Sequence, residues 1–178
     1  MRQDSERLAQ LRRSLILSSE RQHALDEITQ MLATSLEVPV VFINFMDKDR
    51  DCFESVVGLV QHESSAATSM CEIFFRSTSD IIVTNDASLD DRFSSHPFVV
   101  GEPYVRFYGA ARISLRGHTL GTLCAYDVQP RNITVAQIET LQTLATAVME
   151  LLDKRDADAH PPARRSLADA KGSVLTSR

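Results

Sequence analysis

The stretch that decides the fold is Tyr104–Asp127, which reads YVRFYGAARISLRGHTLGTLCAYD. Aromatic and β-branched residues fill both halves of this stretch, and such residues favour extended strands. Residues 116–118, Arg-Gly-His, separate the halves with a compact polar turn that contains glycine. The pattern therefore predicts a β-hairpin, with one strand over 104–115 and the other over 119–126.

A second hairpin is predicted upstream of the first. Residues 40–46, VVFINFM, form an apolar run of strand length after Pro39, and the run lacks the polar alternation of a half-exposed strand. A polar turn over 47–50 and a strand-like segment over 52–57 follow, and Gly58 ends the segment. We expect the first strand to be buried on both faces and the sheet to begin antiparallel.

The middle of the chain is less regular. Residues 59–68 are polar and small and predict a loop, while the apolar residues 70–75 predict a helical turn. Residues 81–84, Ile-Ile-Val-Thr, predict a short strand. The segment 85–103 then predicts a long irregular connection, and long ordered connections often carry function.

Three segments carry apolar residues at spacings of three and four, the period of an amphipathic helix. The first predicts a helix over 4–17, and the other two, over 19–36 and 134–152, each open with a capping-box pattern. The apolar stripes are Leu8, Leu11 and Leu15 in the first helix and Ile138, Leu141, Ala145, Val148 and Leu152 in the last.

The length of 178 residues suits one domain with tails. Helices and a mostly antiparallel sheet predict an α+β domain over 19–155, after an N-terminal helix over 1–18. Residues 156–178 have little to bury, so we expect a flexible tail or linker there.

The composition excludes several classes of protein. Hydrophobic residues make up 43% and charged residues 24% of the chain, as in an ordinary water-soluble domain. A net charge of −5 argues against a nucleic-acid-binding surface. The longest apolar runs are far shorter than the roughly 20 residues of a membrane-spanning helix, and the first residues do not resemble a secretory signal. We therefore expect no nucleic-acid or membrane partner.

The cysteines and histidines indicate neither a disulfide framework nor a metal site. Cys52, Cys71 and Cys124 are an odd number at wide spacings, so we expect free thiols in a reducing cytoplasm. The five histidines are scattered, with no close pair at helical or hairpin spacing. The sequence predicts a cytoplasmic protein with no metal and no cofactor.

Several short motifs, in their order and spacing, resemble those of bacterial sensory GAF domains of the type found with histidine kinases and diguanylate cyclases. They cover about residues 20–153. The motifs are Phe53–Leu59, Val83–Asp86 with Asp91–Phe93, Pro97–Gly101, Arg106–Ala110 and Gly121–Asp127.

The resemblance implies the GAF (PAS-like) fold, a six-stranded antiparallel sheet with the terminal helices on one face and the irregular middle segment on the other. Members of this family hold small ligands on the side of the middle segment. Their ligands include cyclic nucleotides, bilin or haem chromophores and amino acids, and many members bind nothing known and serve as dimerisation modules. Fold alone does not choose among these functions.

Family motifs weigh against several of these ligands. Bilin-binding relatives attach the chromophore through a cysteine followed by histidine, whereas Cys71 is followed by Glu72. The Asn-Lys and Asp-Glu signature of the cyclic-nucleotide relatives is missing. Free methionine sulfoxide reductases need a reactive thiolate and a resolving cysteine, and Cys71 alone is near the right region; Cys52 and Cys124, in strand segments, are not evidently placed as resolving partners.

Candidate ligand-binding residues come from the middle segment and the strand that faces it. An arginine can clamp an anionic ligand through its planar fork, although the same arginines can instead pair with Asp86 or Glu102 and hold the segment in place. Strand alternation puts residues 106, 108, 110 and 112 on one face. The candidates are Phe45, Cys71, Phe74, Asp86, Arg92, Arg106, Tyr108 and Arg112; the phenylalanines can equally be core residues.

The sequence therefore predicts a sensory or regulatory module without catalytic activity of its own. We expect a small-molecule ligand of unknown identity, a homodimer formed through the terminal helices, and an output domain or a kinase or cyclase partner that receives the signal. Two alternatives stay open. One is a thiol enzyme that reduces a small sulfoxide at Cys71, and the other is a purely structural dimerisation module with a filled core.

Overall fold

Six antiparallel strands form one sheet in the order β3-β2-β1-β6-β5-β4 in this computed structural model, which describes residues 1–14 and 19–159, with side chains for 1–14 and 22–154. The strands are β1 (Val40–Met46), β2 (Arg50–Val57), β3 (Glu63–Ser65), β4 (Ile81–Thr84), β5 (Phe107–Leu115) and β6 (His118–Asp127). The predicted strands are all present. The polar segment 59–68, predicted as a loop, also contains the edge strand β3, which pairs with β2.

Four α-helices accompany the sheet within the described residues. They are α1 (Ser5–Ser14), α2 (Ser19–Leu36), α3 (Pro97–Val100) and α4 (Val135–Ala159). The predicted helical turn over 70–75 is a short 3₁₀ helix, Met70–Phe75. Helix α4 continues past the predicted domain boundary at residue 155, while Leu15 and residues 160–178 lie outside the described residues. None of the described helices combines the length and the apolar character that crossing a membrane requires.

Strand β1 lies near the centre of the sheet and is buried along its whole length, as predicted. It pairs with β2 on one side and β6 on the other. Because successive side chains of a strand point to opposite faces, β1 supplies two separate apolar cores. Val41, Ile43 and Phe45 enter the core under the helices, and Phe42 and Met46 enter the core under the middle segment.

The helix-side core holds α2 and α4 against one face of the sheet. It contains four of the five predicted stripe residues of α4 (Leu141, Ala145, Val148 and Leu152) and Leu11 of α1, while Ile138 is only half-buried. The stripe of α4 therefore packs within one chain.

The middle segment, residues 66–106 without strand β4, covers the opposite face of the sheet. Three 3₁₀ helices, Ala66–Thr68, Met70–Phe75 and Ala87–Leu89, and the short α3 follow one another along it. Phe74, Phe93 and Val99 anchor this segment in the second core, where they meet Tyr108 and Cys124 of the sheet. The packing leaves part of the sheet uncovered beside the segment, and that space is the candidate site.

Candidate functional site

A cavity of about 490 Å³ lies between the second face of the sheet and the middle segment. This volume is within the range of small-molecule sites. Strands β1, β2, β5 and β6 form its floor, and residues 59–71 and 98–105 form its walls. Its lining residues are Phe42, Asp51, Phe53, Leu59, Gln61, Glu63, Ser64, Thr68, Ser69, Met70, Cys71, Phe98, Glu102, Pro103, Val105, Tyr108 and Tyr126.

Aromatic rings form much of the cavity floor. The ring centroids of Phe42 and Phe53 are 4.7 Å apart, and those of Phe42 and Tyr126 are 6.2 Å apart with an edge-to-face tilt. These three residues belong to the adjacent strands β2, β1 and β6, so their common face follows from strand pairing. A ligand here would meet ring faces and edges over a large part of its surface.

The charged groups that line the cavity are all carboxylates; no arginine, lysine or histidine is among the lining residues described. Two of the carboxylates have cationic partners, because Asp51 pairs with Arg2 and Glu63 pairs with Arg50. Glu102 has no ion-pair partner among the residues that the structure describes. The site thus presents one free negative charge at an aromatic cavity.

Asp51 links the cavity wall to the N-terminal segment. One of its carboxylate oxygens accepts from Ser69 of the cavity wall, and the other pairs with Arg2. Arg2 also donates to the carboxylate of Glu72 at 2.9 Å and to the carbonyl oxygens of Asp47 at 2.8 Å and Arg50 at 2.9 Å. The segment that precedes α1 is therefore fastened to the edge of the site.

Two thiols meet where the middle segment crosses strand β6. The Sγ atoms of Cys71 and Cys124 are 3.3 Å apart. The Thr122 hydroxyl donates to the Cys71 sulfur at 3.1 Å and lies 3.0 Å from that of Cys124. The Tyr108 hydroxyl is 3.4 Å from the Cys71 sulfur. Cys124 is therefore a direct neighbour of Cys71, which corrects the expectation that no cysteine is placed as its resolving partner.

The surroundings of the pair distinguish its two thiols. The pKa of Cys71 is lowered, chiefly by a hydrogen bond with Cys124, with Thr122 and Tyr108 adding to the effect and burial opposing it. Burial raises the pKa of Cys124 well above its ordinary value. Burial also raises the pKa of the Tyr108 phenol, which therefore stays protonated and able to donate. Cys71 is the thiol of the pair whose hydrogen bonds favour the thiolate.

Asn44 is a buried polar side chain that makes no hydrogen bond to the described residues. Neither its amide nitrogen nor its carbonyl oxygen has a partner among the described residues, although the residue is fully buried. Directly opposed residues of antiparallel strands share a face, and Asn44 is the register partner of Thr122. The unsatisfied amide therefore lies on the same face of the sheet as the thiol pair.

The structure brings only part of the predicted ligand set to the cavity. Cys71 and Tyr108 line it, whereas Phe74 is buried behind the wall in the second core. Phe45 is on the opposite face of the sheet, in the core under the helices, because it lies an odd number of positions from Phe42 along β1. The cavity and Phe45 are thus separated by the sheet.

Arg92 and Arg106, two of the predicted ligand-binding arginines, bind other groups of the protein. Arg92 pairs with Asp90 on the surface and donates to the carbonyl oxygen of Val83 at 3.0 Å. Arg106 donates to the carbonyl oxygens of Val99, Tyr104 and Val105.

Arg112 and Asp86, the other two predicted charged residues, also make hydrogen bonds with backbone groups. Arg112 pairs with Asp80 and donates to nearby backbone carbonyls. Asp86 caps the 3₁₀ helix Ala87–Leu89 by accepting from the Ser88 backbone N–H at 3.0 Å. Asp86 also borders a second depression of about 650 Å³, which is open to solvent and lies between residues 83–91 and Ile133 and Ile138.

Sequence reasoning missed Phe42, Phe53, Tyr126, Asp51 and Glu102. The three aromatic residues lie in predicted strand segments, but their common face depends on the strand register, which the structure supplies. The sequence gives little indication of a site role for Asp51, since a single carboxylate that follows the polar residues 47–50 is typical of a turn.

Comparisons with known proteins agree with the fold. The model of the GAF domain family matches residues 20–152. A cyclic di-GMP phosphodiesterase of Pseudomonas aeruginosa is 29% identical over 136 residues, which make up 75% of this chain and 23% of that protein. The chain thus spans less than a quarter of the length of that curated relative.

Solved structures with the same architecture have low sequence identity to the chain. The GAF domain of the Acinetobacter phosphoenolpyruvate-protein phosphotransferase is 20% identical with a TM-score of 0.64, and the match covers 88% of this chain and 96% of that one. The free methionine-R-sulfoxide reductase of Neisseria meningitidis, solved with its substrate, is 14% identical with a TM-score of 0.62, covering 87% and 90%. At these identities the likeness shows the fold alone.

Proposed function

The chain belongs to the GAF domain family, and on that premise we propose that it is a sensory module that binds a small molecule in the aromatic cavity over strands β1, β2 and β6. GAF domains are generally signalling and ligand-binding modules. The observation that carries the proposal is the 490 Å³ cavity itself, walled by aromatic rings and bordered by the free carboxylate of Glu102. A cavity of this size favours ligand binding over a purely structural role with a filled core.

The charges around the cavity favour a cationic or neutral ligand. An ammonium group gains about 0.5–2 kcal/mol over an aromatic face, and Glu102 adds an attraction of the same sign. An anionic ligand would meet Glu102, which has no cationic partner among the described residues, while Asp51 and Glu63 are already paired with arginines. The predicted arginine clamp for an anion is absent, because Arg92, Arg106 and Arg112 bind carboxylates and backbone carbonyls elsewhere.

We further propose that the module passes its ligand state to an output domain or a partner enzyme. The relative from Pseudomonas aeruginosa is a cyclic di-GMP phosphodiesterase that is about four times as long as the matched region. An enzyme of cyclic di-GMP turnover is therefore the output we propose. The ligand state is passed on from Asp51 at the cavity through its ion pair with Arg2 to the N-terminal helix. The homodimer through the terminal helices stays a prediction.

Native mass spectrometry and thermal shift test the ligand class. Freshly purified protein is first compared under native and denaturing conditions to detect a retained molecule. Three probes of nearly one shape are then compared: 2-phenylethylamine, 2-phenylethanol and 3-phenylpropionate. We expect the amine and the alcohol to raise the Tm and the carboxylate to leave it unchanged. A Tm raised by the carboxylate alone would show that the proposed ligand class is wrong.

Two matched variants locate the effect in the cavity. Glu102→Gln removes the free carboxylate of the cavity, while Glu139→Gln removes the same charge from the exposed face of α4. We expect the first variant to weaken amine binding several-fold and to leave binding of the alcohol unchanged. The second variant should bind both probes like the unaltered protein.

A second candidate function is reduction of a small sulfoxide, which the contact between Cys71 and Cys124 favours. Reducing one sulfoxide to a sulfide would oxidise both thiols to a disulfide and release water, so an external dithiol must regenerate the pair. Loss of methionine sulfoxide in the presence of dithiothreitol measures this activity. Turnover that is unchanged in Cys71→Ser would remove this candidate.

A further inference from the structure

The thiol pair connects the cavity to the interior of the sheet. Cys71 lines the cavity, whereas Cys124 lies behind it in the central strand β6 and is fully buried. Their sulfur atoms are in contact at 3.3 Å. Cys71 is itself almost fully buried, with 3% of its surface exposed, but it borders the cavity whereas Cys124 does not, and any activated form of Cys71 has a second thiol beside it.

We propose that Cys71 and Cys124 form an oxidant-reactive dithiol, in which a small hydroperoxide that enters the cavity oxidises Cys71 and Cys124 then closes a disulfide with it. This reaction does not depend on the ligand proposed above. Its co-reactant is a hydroperoxide, and the pair is its site of modification.

The chemistry proceeds in two balanced steps. The Cys71 sulfur attacks the outer oxygen of the hydroperoxide, the O–O bond breaks, and the thiol proton ends on the leaving oxygen, which departs as an alcohol or water. The Cys124 sulfur then attacks the sulfenic acid of Cys71, an S–S bond forms, the S–O bond breaks, and water leaves with the Cys124 proton. One hydroperoxide is reduced by two electrons and the two thiols are oxidised by two.

The neighbouring polar groups suit the first step. Thr122 and Tyr108 place hydroxyl groups beside the Cys71 sulfur at 3.1 and 3.4 Å, where they stabilise the thiolate. Asn44, cross-strand from Thr122 and fully buried, has both a donor and an acceptor without partners among the described residues. Asn44 is not a lining residue of the cavity, so Tyr108, which lines it and lies beside the Cys71 sulfur, is the polar group placed to meet an entering hydroperoxide.

The second step moves the cavity wall. A disulfide has an S–S distance of about 2.0 Å, so the two sulfurs must approach each other by roughly 1 Å. Cys124 is held in β6 by strands on both sides, whereas Cys71 lies on the 3₁₀ helix Met70–Phe75 outside the sheet. The movement therefore falls on Cys71 and its neighbours Ser69 and Met70, which also line the cavity.

The test uses the Cys52→Ser variant of the full chain, which retains only the two paired thiols. The protein is treated with one equivalent of hydrogen peroxide or tert-butyl hydroperoxide, its free thiols are alkylated, and peptides are mapped by mass spectrometry before and after reduction. We expect a Cys71–Cys124 cross-link that accounts for most of the protein and disappears on reduction. Two fully alkylated cysteines after this treatment would overturn the proposal.

Single variants separate the two roles. In Cys124→Ser the reaction should stop at a sulfenic acid on Cys71, which a 1,3-dione probe traps, while Cys71→Ser should take up no probe at Cys124. Probe on Cys124 in place of Cys71 would overturn the assignment. Cys124→Ala, checked by circular dichroism for folding, repeats the measurement without a buried hydroxyl.

A second oxidant separates this inference from sulfoxide reduction. Methionine sulfoxide is added in place of the hydroperoxide under the same conditions, and the cross-link is measured again. A cross-link formed by the hydroperoxide and not by the sulfoxide supports the proposal. A cross-link formed by the sulfoxide alone overturns it and favours the enzymatic candidate.

Discussion

The Arg112 guanidinium lies over the ring of Phe74, 5.3 Å from its centroid, and donates to the carbonyl oxygen of the same residue at 2.9 Å. It also donates to the carbonyl oxygens of Ser77 at 2.7 Å and Ser79 at 2.9 Å. One side chain thus ties strand β5 to the end of the 3₁₀ helix Met70–Phe75 and to the connection that follows it. Arg112 supports the cavity wall without touching the cavity.

We expect Arg112→Lys to lower the free energy of unfolding by about 2 kcal/mol, because an ammonium group cannot reproduce the planar fork that bonds to three carbonyls. Urea denaturation followed by circular dichroism measures the change. Arg76→Lys, at an exposed neighbouring position, is the matched control and should be neutral. If Arg112→Lys is as stable as this control, the structural role is wrong.

The regular elements could be predicted because local chemistry determines them. The hairpin β5–β6 follows from two strand-forming runs around Arg116 and Gly117, and both residues have the positive φ that a two-residue hairpin turn requires. Strand β3 had no such signal, since Glu63, Ser64 and Ser65 are polar and form a strand only by pairing with β2.

The candidate site was harder to predict, since it depends on contacts between residues far apart in the sequence. Cys71 and Cys124 are brought together by the path of the middle segment over β6, which no local pattern encodes. Arg106 and Arg112 donate to backbone carbonyls of the middle segment. Because every residue carries a carbonyl, no sequence pattern predicts which ones an arginine will bind. Phe45 is predicted to line the cavity but lies in the core under the helices, because the sequence alone does not determine which face of β1 meets which core.

The stability of the fold around the cavity should decrease below neutral pH because of His96. Its Nδ1 accepts from the backbone N–H of Phe98 at 3.1 Å, and Phe98 lines the cavity. Burial lowers the pKa of His96, so its neutral form stabilises the fold fully above the ordinary histidine pKa of about 6.5, and the stabilisation is lost as the pH falls through the lower folded value.

Thermal shift with 2-phenylethanol, a probe that does not titrate, measures this loss between pH 8 and 5. His96→Asn provides the control, because an asparagine side chain accepts the same hydrogen bond and carries no proton in this range. The variant should lose the His96 part of the pH dependence. A pH profile identical to that of the unaltered protein would assign the titration to another group.

Two glycines with positive φ should differ in their tolerance of alanine. At Gly58, with φ +75°, a Cβ would lie 2.0 Å from the carbonyl oxygen of Pro39, whereas at Gly117, with φ +80°, no atom lies within 4 Å. Gly117→Ala should cost about 1 kcal/mol for the left-handed backbone alone. Gly58→Ala should cost about 3 kcal/mol or more, because steric overlap is added. Equal costs in urea denaturation would contradict the close packing of Gly58 against Pro39.

The N-terminal segment should be coupled to the cavity through Arg2 and Asp51. Both side chains are almost fully buried, and removing one member of a buried ion pair leaves the other uncompensated. We therefore expect Arg2→Ala to lower the free energy of unfolding by about 3 kcal/mol, and Arg2→Ala with Asp51→Asn to cost less than the two single changes together.

A double-mutant cycle in urea measures this coupling. Arg12→Ala, an exposed arginine of α1, is the matched control and should be neutral. Because Asp51 also bonds to Ser69 of the cavity wall, Arg2→Ala should in addition weaken binding of 2-phenylethylamine. Coupling that is absent from the cycle would mean that the N-terminal segment does not dock on β2 in solution, and the proposed route from the cavity to α1 would be wrong.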